Sequence, residues 1–237
     1  MSIRESLKTA AEGWGLTLSN ETLDAFDLYG RRLQEVNQVM NLTAVTDDEG
    51  IAHRHFLDSL RPQVNDLIPQ GSSLVDVGTG AGFPGLPLAI ARPDLSVTLA
   101  DSLGKRCDFL KGVVSELGLE SRVTVLWIRA EDLGRDEAHR EKYDFACARA
   151  VAALPTLAEY LLPLVKVGGA MLSWKGPSLP EELANAQRAL DILGGGQRFV
   201  DHYTLDGQAM ALARIAKSRP TPPAYPRRSG KPSKSPL

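Results

Sequence analysis

The strongest constraint in this chain is a short apolar run that breaks abruptly into glycines. Leu74-Val75-Asp76-Val77 leads directly into Gly78-Thr79-Gly80-Ala81-Gly82-Phe83-Pro84-Gly85. An apolar run stopped by glycine reads as a buried strand, and the apolar stretch that Pro84 opens reads as a helix. Strand, glycine turn and helix in that order build the corner of a doubly wound sheet where backbone approaches a ligand at the carboxyl edge. The dinucleotide fingerprint G-x-G-x-x-G is not met, because Phe83 stands where that motif needs glycine or alanine. What is present is D-x-G-x-G-x-G, with Gly78, Gly80 and Gly82 as its glycines. Asp76, just before the first of them, would repel a pyrophosphate. It suits a cationic ligand with a free amino group, and S-adenosylmethionine, a sulfonium with an α-amino acid end, is such a ligand.

Around this corner the pattern alternates. Ser96–Asp101, Val123–Ile128, Tyr143–Arg149 and Gly168–Lys175 read as further strands, separated by helical stretches through Phe109–Leu117, Thr156–Val165 and Pro180–Leu193. Residues 197–205 and 209–217 read as a hairpin around Asp206-Gly207. Alternation of this kind predicts a mostly parallel α/β sheet of seven strands, closed by an antiparallel hairpin at one edge. The first sixty residues read as helices instead. One stripe, Leu23, Phe26, Leu33, Val36 and Met40, follows a Ser19 cap and ends near Asn41; a second helix starts after Asp47 or Asp48 and runs to Pro62. The expected organisation is a helical appendage (1–68), a ligand-binding core (69–217) and a tail (218–237).

The tail stands apart in composition. It holds five basic residues, six prolines and no acid, which leaves 22 basic against 29 acidic residues before it. With no apolar periodicity it is expected to be extended or disordered, either a tether to phosphate or an inert end. No apolar run approaches the roughly 20 residues of a membrane span. Met1–Gly15 lacks a signal peptide's apolar region, and the only cysteines are Cys107 and Cys147. A reducing cytoplasm and a monomer are the default expectations, and no metal site is read. Both cysteines are expected as small buried core residues.

Two further acids follow at strand ends. Asp101 ends the second strand, where a carboxylate can accept from ribose hydroxyls, and Glu131 follows the third, where adenine would lie. The competing reading is that Asp76 and Asp101 only cap helices or fill turns. Arg149 ends the fourth strand and Lys175 the fifth. A buried arginine needs a partner, so Arg149 should line the cleft and meet a carboxylate or an anionic substrate. The D/N-P-P-Y/F signature of exocyclic-amine methylation is absent; Ala146-Cys147-Ala148-Arg149-Ala150 stands there. A positive cleft without an evident base suits methylation of an atom that already carries a lone pair, such as guanine N7.

These residues resemble the RsmG (GidB) family of bacterial 16S rRNA guanine-N7 methyltransferases. The similar segments are Asn41-Leu42-Thr43, Arg54-His55 with Leu57-Asp58-Ser59, the glycine loop, Asp101-Ser102 with Gly104-Lys105-Arg106, Ala148-Arg149-Ala150 and Lys175-Gly176. The resemblance implies a Rossmann-like class I methyltransferase fold and S-adenosylmethionine contacts at Gly78, Phe83, Asp101, Ser102, Leu103, Ala130, Glu131 and Arg149. It also implies a guanine in a small-subunit rRNA loop as target. Met40, where an aromatic often precedes Asn-Leu-Thr, and the basic tail depart from the shared pattern. His55 and Asp58, three apart on a helix, are expected to form a local pair that pins the appendage, or else to reach RNA. Lys105 and Arg106 open a helix, an unfavourable end for cations, and are better explained as phosphate contacts. Arg54 and Lys175 complete the expected RNA surface. The rival readings are a methyltransferase acting on a small molecule or protein, and a non-catalytic nucleotide-binding module.

Overall fold

The computed structural model describes residues 1–237. Seven strands form one sheet: β1 (Ser73–Val77), β2 (Ser96–Asp101), β3 (Val123–Trp127), β4 (Tyr143–Arg149), β5 (Val165–Lys175), β6 (Gly195–Leu205) and β7 (Gln208–Lys217). Their order is β3-β2-β1-β4-β5-β7-β6. The first five are parallel, and β7 runs antiparallel between β5 and β6. The chain therefore reverses its winding between β1 and β4, the place where doubly wound sheets open a crevice at their carboxyl edge. The β6–β7 turn is carried by Asp206 and Gly207, both with positive φ (49° and 75°), as a tight hairpin requires.

Helices α1 (Ile3–Gly13), α2 (Asn20–Met40), α3 (Asp48–Gly50) and α4 (Arg61–Val64) precede the sheet. Ser2 and Glu5 close a capping box on α1, Ser19 caps α2, and Asn41 ends α2 in the left-handed conformation. These helices lie with α5 (Gly85–Ala91) and α6 (Gly104–Glu116) on one face, in a single core that joins Leu7, Phe26 and Phe56 to Leu74, Leu99 and Leu110. The other face is covered by α7 (Ala130–Leu133), α8 (Leu154–Leu161), α9 (Leu179–Asn185) and α10 (Gln187–Leu193).

Three segments differ from what the sequence predicts. The helix after Asp48 is not regular: Ile51–Leu57 winds as a π-helix, and Pro62, expected to stop a helix, instead sits in the first turn of α4, where its missing N–H costs nothing. The stretch 180–193 is two helices, broken at Ala186. The third concerns the tail, which is folded onto the protein rather than extended or disordered. Arg140 donates to the carbonyls of Thr221 (2.7 Å) and Tyr225 (2.6 Å). Arg227 grips Glu159, whose side chain is wholly buried, at 2.6 Å. The fully buried ammonium of Lys217 meets Glu141 at 3.1 Å and Thr221 at 2.7 Å. The segment ends in α11 (Lys231–Lys234) beneath α8, with Pro232 buried. Charge-assisted hydrogen bonds supply the anchoring that its apolar content does not.

Candidate active site

Two cavities meet at Gly78 on the carboxyl edge of β1. The larger, about 700 Å³, is lined by Arg54, His55, Asp58, Phe83, Arg149 and the loop Gly78–Ala81, with Arg106 and Lys175 also on its wall. The smaller, about 170 Å³, lies among Val77, Ser102, Ala130, Glu131 and Tyr160.

The loop that separates them is held from below and from the side. Gly78 has φ +68°, and a Cβ there would come within 2.8 Å of Val151, so only glycine fits. Gly82 has φ +113° and would meet the Tyr29 hydroxyl, which donates to the carbonyl of Ala81. Asp76 is fully buried beneath the turn, and its Oδ2 accepts from Thr79 Oγ1 at 2.6 Å and from the Gly85 N–H at 2.8 Å. Its Oδ1 has no hydrogen-bond partner, and burial raises its pKa to about 6. Asp101, 3% exposed, accepts from the N–H groups of Gly80 and Leu103, both at 2.9 Å, and lies 3.5 Å from Arg106. The first two strand-end acids therefore brace the glycine loop and do not line the open space. Glu131 alone of the three lines a cavity.

Arg149 joins β4 to the π-helical turn. One of its terminal nitrogens, Nη1, donates to Asp58 Oδ2 (2.8 Å) and to the Arg54 carbonyl (2.7 Å). The guanidinium also sits 5.1 Å from the Phe83 ring centre, against whose ring plane His55 stacks at 4.4 Å and 16°. His55 and Asp58 do not pair with each other, as the sequence suggests; each contacts Arg149. Asp58 Oδ1 accepts from Tyr203 Oη at 2.6 Å, and its backbone carbonyl accepts from Trp174 Nε1 at 2.8 Å. Asp58 thus fixes the N-terminal segment to β4, β5 and β6, as expected in effect but with other partners. Arg149 can only donate, so His55 Nδ1, 3.4 Å away, is the acceptor and Nε2 carries the proton, 2.7 Å from Thr43 Oγ1. Burial, with the nearby Arg149 cation, lowers the pKa of His55 to about 3, so the ring is neutral at physiological pH.

The remaining expected residues are dispersed. Ser102 and Ala130 line the smaller cavity, whereas Leu103, half exposed, lines neither. Lys105 is exposed on the first turn of α6, and Arg106 reaches the larger cavity. Lys175 is on the cavity wall, but its ammonium is held by Glu182 (2.7 Å) and the Ala152 carbonyl (2.8 Å), so its charge is spent internally. Cys107 and Cys147 are buried, and burial pushes both thiols up, against any nucleophilic role. Sequence reasoning missed Tyr29, Val151, Tyr160, Trp174 and Tyr203, and gave Thr43 no role. Tyr29 had a signal: the gap of seven in the stripe between Phe26 and Leu33 needs a residue on the same face.

A family model described as "rRNA small subunit methyltransferase G" matches residues 22–210. A protein named ribosomal RNA small subunit methyltransferase G from Roseiflexus sp. (strain RS-1) is 47% identical over 234 residues, 98% of this chain and 99% of its own length. A protein of the same name from Acetivibrio thermocellus is 46% identical over 241 residues, 100% and 98% of the two lengths. Among solved structures, a predicted O-methyltransferase from Agrobacterium tumefaciens superposes with TM-score 0.54 at 18% identity, over 71% of this chain and 83% of the other. A 16S rRNA adenine-N1 methyltransferase from Catenulisporales acidiphilia, also solved with its cosubstrate SAM, does so with TM-score 0.53 at 18% identity, over 64% and 87%. The structural likeness shows a class I methyltransferase fold.

Proposed function

As the chain belongs to the rRNA small subunit methyltransferase G family and is a methyltransferase of small-subunit ribosomal RNA, we propose that it moves a methyl group from S-adenosylmethionine to N7 of a guanine in a 16S rRNA loop. The observation that carries this reading is the pair of cavities joined at Gly78, one with a buried carboxylate and one with a cationic, aromatic wall.

The residues present fit such a cofactor. Glu131 and the backbone at Ser102 and Ala130 offer a nucleoside its polar contacts in the smaller cavity, and Gly78 leaves the backbone bare at the junction. Asp76 adds negative charge beneath the loop, with one buried oxygen still unpartnered, which favours a cationic amino group over a phosphate. When bound, S-adenosylmethionine supplies an electrophilic methyl group. The chain's own task is then positional. Guanine N7 carries no proton, so no general base is required, and neutral His55 with both ring nitrogens engaged is not placed to be one. Phe83, His55 and Arg149 pack against one another as a wall on which a flat purine can rest in line with the methyl group. An RNA base reaches such a cavity only when unstacked from a loop, so recognition runs through the displayed base and the phosphates around it. Arg54, Lys105 and Arg106 are the groups available for those phosphates.

The test is incubation of purified protein with methyl-labelled S-adenosylmethionine and small subunits lacking the modification, followed by nucleoside analysis. Label recovered as 7-methylguanosine is the expected result. Label in another nucleoside, or only in protein, overturns the assignment.

A further inference from the structure

The C-terminal segment supplies one wall of the smaller cavity. Beyond its anchors at Lys217 and Arg227, the chain brings Gly230 to Glu131, where the glycine N–H donates to Oε1 at 2.7 Å. Gly230 and Ser233 themselves line that cavity opposite Gly78 and Ser102, and Tyr160 of α8 completes the wall between them. Thr156 Oγ1 donates to the Pro232 carbonyl at 3.3 Å, which holds the last turn against α8. Glu131, 4% exposed, is thus kept in place by a donor 99 residues further along the chain.

We propose that residues 229–237 are a structural part of the cofactor site: they form the outer wall of the nucleoside-side cavity and orient Glu131 toward its occupant. This inference rests on the cofactor reading above. A carboxylate as buried as Glu131 keeps its orientation only while its own acceptor demand is met, and a backbone N–H to a charged oxygen is among the stronger ways to meet it. Without the segment, the cavity opens to water on one side and Glu131 is free to rotate. The segment does not fill the space, since about 170 Å³ remains beside it. It is a wall, not a plug.

Isothermal calorimetry with S-adenosylhomocysteine tests this in the absence of RNA. A protein ending at Arg228 keeps the Arg227–Glu159 anchor, and it should bind at least about tenfold more weakly than the full chain while its unfolding temperature changes little. In the methylation assay the same truncation should raise KM for S-adenosylmethionine and leave kcat within about twofold, the mark of lost cofactor binding rather than lost chemistry. Gly230→Ala gives a milder, independent variant. A methyl group there meets nothing within 4 Å, but φ of +77° disfavours it, so affinity should fall by about fivefold through displacement of the N–H from Glu131. Unchanged or tighter binding by the folded truncated protein overturns the proposal. If the truncated protein does not fold, unchanged affinity in Gly230→Ala overturns it instead. Failure of the full chain to bind S-adenosylhomocysteine at all would overturn the cofactor reading itself.

Discussion

Arg149 and Asp58 are 91 residues apart and carry opposite charges in a nearly dry contact, with side chains 14% and 3% exposed. Removing one member of such a pair leaves the other charged and unsatisfied, so Asp58→Ala should lower stability by at least about 3 kcal/mol in urea unfolding. The sequence made Arg149 legible as a strand-end cation that needs a carboxylate, but not which carboxylate, because pairing across the fold leaves no mark on local spacing. The same holds for Asp76 and Asp101: their positions were legible, and their preference for loop N–H groups over the open cavity was not. Asp76 carries a pH signature. Burial raises its pKa to about 6, above the unfolded value near 3.9, so its contribution to stability is present below about pH 4 and lost as pH rises through about 6. Asp76→Asn should therefore be most damaging near pH 4. Its deficit relative to the parent should shrink by about 2 to 3 kcal/mol by pH 7, read from unfolding midpoints across that range. A constant deficit would show that the carboxyl titrates normally.

The elements that meet at the glycine loop come from opposite ends of the reading. β1, the turn and α5 were legible in the order of their residues, since an apolar run, glycines and a proline are local signals. The π-helical turn Ile51–Leu57 was not, because its apolar spacing also fits an ordinary helix. Yet that turn lets both His55 and Asp58 reach Arg149. α2 makes the other connection through Tyr29, whose buried hydroxyl holds the Ala81 carbonyl. Tyr29→Phe keeps the ring packing and leaves that carbonyl without its donor, which should cost about 1 to 3 kcal/mol. The effect on function should fall on cofactor binding: KM for S-adenosylmethionine should rise more than kcat falls, because the loop and not the reacting wall is loosened. A loss confined to kcat would place Tyr29's influence elsewhere.

For the whole molecule, a mostly parallel sheet closed by an antiparallel hairpin follows from alternating elements and a local turn, so it was legible; the order of the strands and the course of the C-terminal segment were not. Its basic, proline-rich composition looks solvated until Glu159 and Glu131 are seen to receive it, and no window of sequence holds both partners. Folding this segment back changes where charge sits. Arg219 and Arg227 are used internally, while Arg228, Lys231 and Lys234 stay exposed beside the smaller cavity. The tail thus presents these three cations beside the smaller cavity rather than on a remote tether. Outside the tail, Lys105 is exposed on α6 and free of any ion pair. If it meets one phosphate, binding releases one fewer counterion when the charge is removed. Lys105→Ala should then weaken small-subunit binding and reduce the slope of log affinity against log salt by about 0.7, the single-strand value per phosphate, with affinity for S-adenosylhomocysteine unchanged. Equal slopes for the two proteins would place the RNA backbone out of reach of this side chain.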